Sequence, residues 1–108
     1  MLFIVKKTGG YCVDIWKSEI YNIANILAKN NEHLLYKYER PLEVVIAGNT
    51  QTIHPDFTII NIHTGKITYW EHAGRMDDAQ YADDFVRKMN TYTENGLFQG
   101  NDVIVTYE

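Results

Sequence analysis

The chain has 108 residues, 45% of them hydrophobic and 22% charged, which suits a single domain over 1–108 with one core and no independent second module. Its formal net charge of −4 excludes a broad basic grip on nucleic acid, because phosphate neutralisation supplies most non-specific affinity; any polyanion must be held locally, by a cation or by a partner. One cysteine and no long apolar run exclude an internal disulfide, a cysteine zinc cage and a membrane-spanning helix, leaving the cytoplasm as the expected compartment.

Residues 1–17 read as an extension or short hairpin, with Phe3 to Val5 and Tyr11 to Val13 flanking Gly9-Gly10 and with Cys12 as a packed thiol. Ser18 then caps a helix whose apolar positions Ile20, Ile23, Ala24, Leu27 and Ala28 follow helical spacing, and Asn30-Asn31 ends it. Four β-prone runs follow: Leu34 to Glu39, Val44 to Ile46, Phe57 to Ile62 and Ile67 to Ala73, separated by Pro41, Gly48-Asn49 and Gly65. Taking the first two as one strand interrupted at Pro41 gives a three-stranded meander. Asp77-Asp78 opens a second helix that runs to about Glu94 and closes at Asn95-Gly96, and Val103 to Thr106 is the last strand. The expected order is α-β-β-β-α-β, with the final strand parallel to the Glu71 strand in a central mixed four-stranded sheet flanked by helices.

Two carboxylates interrupt otherwise apolar strands. Asp56 lies in His54-Pro55-Asp56-Phe57-Thr58-Ile59 and Glu71 in Tyr69-Trp70-Glu71-His72-Ala73-Gly74. An unpaired charge there is costly unless a cation or a hydrogen-bonding partner offsets it. With Thr64-Gly65 as a two-residue turn, Thr58 faces Glu71 and Asp56 faces Ala73. Asp56 and Glu71 then share a face as diagonal neighbours roughly 7–8 Å apart, within reach of one hard cation. A four-residue turn from His63 to Lys66 gives the same register, whereas a three-residue loop sends one acid to the opposite face.

The second helix adds a cation to this arrangement. At about 100° per residue, Lys88 falls inside the stripe of Tyr81, Phe85 and Tyr92, while Asp83, Arg87 and Asn90 project elsewhere. An ammonium on the sheet-facing side needs an anion, and the carboxylate pair or a bound phosphate would serve. Carboxylate oxygens without cysteine select Mg²⁺ or Mn²⁺, so metal-assisted phosphodiester hydrolysis is the expected chemistry, with Lys88 orienting water or stabilising phosphoryl charge.

His54 and His72 raise the possibility of zinc, but on these strands they fall on opposite faces and fit peripheral roles better, with His54 nearer the acids. Tyr36 and Tyr38 could stack bases, although their alternation suits half-buried strand packing. Glu39 is read as a supporting residue at most, and Glu19, in a first helical turn, equally suits the helix dipole.

Ser18-Glu19, Tyr38-Glu39-Arg40-Pro41-Leu42, Pro55-Asp56-Phe57-Thr58-Ile59, Tyr69 to Gly74, Tyr81, Lys88, Tyr92 and Gly96 together resemble the PD-(D/E)XK nuclease superfamily. More narrowly, the pattern is similar to the short domain found alone or appended to bacterial helicases of the UvrD type. The resemblance runs from about Ser18 to the C-terminus. It implies a restriction-endonuclease-like core and a Mg²⁺- or Mn²⁺-dependent deoxyribonuclease, with Asp56, Glu71 and Glu19 as metal ligands and Asp56, Glu71 and Lys88 as the catalytic set. Its partners would be DNA and, in some settings, a helicase or other DNA-processing protein. The lysine that usually stands two positions after the second acid is replaced by Ala73, and Lys88 matches the helical lysine that takes its place in this subfamily. The alternative is a catalytically silent module of the same fold that docks on such a partner.

Overall fold

The computed structural model describes the backbone of residues 18–107 and the side chains of residues 23–107. The expected N-terminal hairpin, Cys12 and the Glu19 side chain lie outside these residues. The elements are α1 (Ser18–Lys29), β1 (Leu34–Tyr38), β2 (Leu42–Ile46), β3 (Asn49–Ile53), β4 (Phe57–Asn61), β5 (Ile67–Ala73), α2 (Ala79–Glu94) and β6 (Val103–Tyr107). Four strands form a mixed sheet in the order β1-β4-β5-β6, and β2 and β3 form a separate two-stranded sheet. The pairs β1–β4 and β4–β5 are antiparallel, and β6 returns parallel to β5 after α2, as expected from the strand-helix-strand order.

Strand alternation gives the main sheet two apolar faces. On one, Ile23, Ala24 and Leu27 of α1 pack on Tyr36, Phe57 and Ile59, with Trp70 alongside. On the other, Tyr69 and Val103 pack on Tyr92 of α2, with Met89 and Leu97. Central β4 is therefore covered on both sides, and Phe57, Thr58 and Ile59 are buried in succession. No helix among the described residues is long and apolar enough to cross a membrane.

Two expectations are corrected. Leu34 to Glu39 and Val44 to Ile46 are not one interrupted strand: β1 is an edge of the main sheet, whereas β2 turns back on β3. The turn uses Ala47 (φ 50°) and Gly48 (φ 82°), both left-handed, as a two-residue hairpin of primed type requires. The β2–β3 ribbon leans on α2 through Leu42 and Ile53. Asn95 completes that attachment: its side-chain amide accepts from Val45 N (2.9 Å) and donates to Val45 O (3.0 Å), pairing with the free edge of β2 as another strand would.

The β4–β5 register is the second correction. Thr58 faces Tyr69 and Phe57 faces Trp70, two residues from the expected pairing. The cause is Asn61, whose side-chain oxygen accepts from His63 N and Thr64 N and starts the loop early. Asn61 then bonds Lys66, and Ile62 to Gly65 form the loop, with Gly65 at φ 75°. A slip of two conserves facing, so Asp56 and Glu71 remain on one side of the sheet.

Candidate active site

The register, carried one residue beyond Phe57, brings Asp56 directly opposite Glu71 instead of diagonal to it. Asp56 is tied to the neighbouring strand: its Oδ2 accepts from His72 N at 2.7 Å. Glu39 N in turn donates to Asp56 O, so the end of β1 is laced to the same residue. Glu39 sits at φ 51°, a left-handed conformation that costs a non-glycine residue about 1–2 kcal/mol. That kink turns the chain out of β1 at the rim of the acids.

α2 supplies the rest of the site, and its ends set its position. Asp78 caps the N-terminus by accepting from Tyr81 N at 3.0 Å. At the C-terminus Gly96 adopts φ 77°, Leu97 N donates to Tyr92 O and Gly96 N to Thr93 O, a Schellman closure with Leu97 packed near Tyr92. Asp83, Arg87 and Asn90 are exposed, as the stripe predicted, and Lys88 is only half-buried.

Glu71 is 2% exposed. The Lys88 ammonium lies 3.0 Å from each of its carboxylate oxygens and donates to His54 O at 2.8 Å. Tyr92, fully buried, donates its hydroxyl to Glu71 Oε2 in a short hydrogen bond. Both oxygens of Glu71 thus have protein partners. Tyr81 holds the strand end, its hydroxyl accepting from Gly74 N and donating to His72 O.

Burial decides the acid–base behaviour. Desolvation raises the Glu71 carboxyl to about 7, more than Lys88 and the Tyr92 hydrogen bond lower it, and the Asp56 charge adds to the rise. Asp56 is also raised, again chiefly by burial, against the opposing pull of the His72 N–H and Lys88. The Tyr92 phenol is pushed up by burial and by the adjacent Glu71 charge, so it acts as a hydrogen-bond donor only.

Above these groups opens a cleft of about 290 Å³, lined by Tyr38, Glu39, Asp56, Glu71, Phe85 and Lys88 among others. Asp56, Glu71 and Lys88, expected to converge, do so. Among the described residues no group of three or more His, Cys, Asp or Glu side chains forms a metal-binding cluster. His72 faces away, its Nδ1 against Thr106 Oγ1 at 2.7 Å beside Trp70, which donates to the same oxygen. What His72 gives the site is its backbone N–H. Tyr36 is core, and Tyr38 reaches the cleft.

Tyr92 is the site residue that sequence reasoning placed on the helical stripe and among the residues of the resemblance, without a role in the site. Its signal was present: a tyrosine one helical turn after Lys88 on a buried stripe needs a partner for its hydroxyl, and a strand acid is the natural one. A scan of protein-family models and searches of curated proteins and of solved structures find no match to this chain, so its resemblance to a nuclease superfamily rests on its own residues.

Proposed function

We propose that the chain is a divalent-metal-dependent nuclease that hydrolyses DNA phosphodiester bonds on a restriction-endonuclease-like core. The observation that carries this reading is the meeting of Asp56 and Glu71 from adjacent strands in an open cleft, with the Lys88 ammonium on Glu71. The mixed sheet, with an antiparallel pair bearing the acids and a parallel strand returning after α2, supports the same core.

The donor set suits Mg²⁺ or Mn²⁺, since such ions take hard oxygen ligands and commonly use one or two carboxylates, filling other positions with water and substrate phosphate oxygens. Asp56 uses one oxygen for the His72 N–H, and its other oxygen has no hydrogen bond within the described structure. Asp56 and Glu71 would hold the ion, with Glu19 as the further candidate from α1. Bound there, the ion would polarise the phosphoryl oxygens and lower the pKa of a water. Lys88 then has two tasks: it offsets the charge on buried Glu71 and presents an ammonium toward charge developing on the phosphate. Tyr92 keeps Glu71 in one orientation beneath it.

The test is incubation of the purified chain with single-stranded, double-stranded and branched DNA in Mg²⁺ or Mn²⁺. Cleavage that disappears in chelator and in Asp56→Ala supports the proposal, and no cleavage of any substrate overturns it. Two observations favour a second reading, a silent module that docks on a helicase or other DNA-processing partner: both Glu71 oxygens already have protein partners, and Ala73 stands where a lysine is usual. Turnover by the isolated chain counts against that reading.

A further inference from the structure

Resting on the nuclease reading, we infer that the substrate enters as an unpaired strand, one of whose bases stacks on the exposed Tyr107 ring, beside Phe85, at the rim of the cleft.

Charge argues against a duplex. Among the described residues, four carboxylates stand around the cleft, Glu39, Asp56, Glu71 and Asp84, and two cations, Arg75 and Lys88. Both cations are engaged, Lys88 with Glu71 and Arg75 with Asp78 at 3.5 Å. A duplex held without sequence contacts needs a row of neutralised phosphates, and the described residues of this rim offer no such row. Attraction must come from a source that tolerates an acidic surround.

Aromatic stacking is such a source, because every base has a π-face and a single strand exposes it. Tyr107 is 60% exposed at the end of β6. Its ring lies 6.5 Å from that of Phe85, a cleft-lining residue of α2, and its backbone pairs with Ala73, next to cleft-lining Gly74. By strand alternation Tyr107 lies on the face of Val105, the residue that pairs with Glu71. A base on this platform sets its own phosphate toward the acids. The cleft, about 290 Å³, is at the small end of pockets that take one small molecule, roughly 300–1,000 Å³. It has room for a single nucleotide.

The experiment is fluorescence anisotropy in EDTA, which reads binding without metal or turnover. The probes are a fluorescein-labelled 12-nucleotide mixed-sequence strand, its duplex, and the same strand with abasic positions. The expected result is single-strand binding about 10-fold or more tighter than duplex, weakened about 5- to 150-fold by Tyr107→Ala, restored by Tyr107→Phe, and weakened as much by the abasic positions. The salt dependence should be shallow, with a log–log slope of about −0.7 to −1.4, as one or two neutralised phosphates give for a single strand. Tyr107→Ala removes an exposed ring, and circular dichroism checks that the variant is folded. Equal or tighter duplex binding, no binding of either probe, or an unchanged affinity in folded Tyr107→Ala overturns the inference. Strand binding without any metal-dependent cleavage sinks the nuclease reading alone, whereas cleavage without single-strand preference sinks only the stacking inference.

Discussion

Replacing Glu71 with glutamine will change how stability responds to pH, and the buried carboxyl sets the sign. Burial lifts Glu71 to about 7 from an ordinary value of 4.5 even with the Lys88 ammonium 3.0 Å away. A folded-state value above the unfolded one means that the native state holds the proton longer. Stability from protonated Glu71 is therefore complete below about pH 4.5 and is lost as pH rises through about 7. The interval from 4.5 to about 7, at about 1.4 kcal/mol for each tenfold change in proton affinity, amounts to about 3 kcal/mol. In a domain of this size that is roughly 10–20 °C in Tm.

Glutamine keeps the shape and an acceptor for Tyr92 but has no charge to desolvate. Urea unfolding of wild type and Glu71→Gln should therefore show the stability gap moving in the variant's favour by about 3 kcal/mol between pH 4.5 and pH 8, changing steadily up to about pH 7 and levelling above it. Histidine and other titrations common to both proteins cancel in the difference. If the gap is constant with pH, burial does not govern this carboxyl. If it moves in the wild type's favour, the Lys88 ion pair outweighs desolvation and the electrostatic account of the site is refuted.

Three further outcomes follow from particular contacts. Tyr92→Phe should cost about 1.5–3 kcal/mol at pH 8, where the hydroxyl serves a charged acceptor, and less at pH 5; urea melts at both values check this. Asn95→Ala removes the two bonds to the Val45 backbone and should cost about 1 kcal/mol, with faster amide hydrogen exchange at Val45 and unchanged protection in β4 and β5. Phe57→Ala removes the fully buried ring at the start of β4 and should cost about 3–5 kcal/mol, seen as a lower urea midpoint with cooperativity retained.

The legible parts of the fold were those in which burial imposed a period. α2 showed its stripe and both its ends: Asp78 caps it and Asn95-Gly96 closes it. β4, β5 and the parallel β6 were visible because their residues are apolar, β-branched or aromatic. β3 was not, since Asn49-Thr50-Gln51-Thr52 is polar and exposed and only Ile53 is half-buried. A ribbon lying mostly in solvent has no hydrophobic alternation to reveal it, and without β3 the natural reading joined β2 to β1. The register error has a local cause as well: an asparagine side chain bonding its own loop competes with the shorter turn that Thr64-Gly65 suggests.

The site divides in the same way. Asp56 and Glu71 survived the register error because facing depends only on parity, and Lys88 survived because helical angle does not depend on the sheet. What could not be read was which partner each group would choose. Lys88 contacts both Glu71 oxygens, and Asp56 takes a backbone N–H from His72. Those choices depend on distances of a few tenths of an ångström between elements far apart in sequence.

The most direct test of the central claim is calorimetric titration with Mn²⁺ at pH 8, where Glu71 is ionised, of wild type and of Asp56→Ala. The account predicts one saturable site in the wild type and its loss in the variant. No binding to the wild type, or equal binding to both, would contradict it.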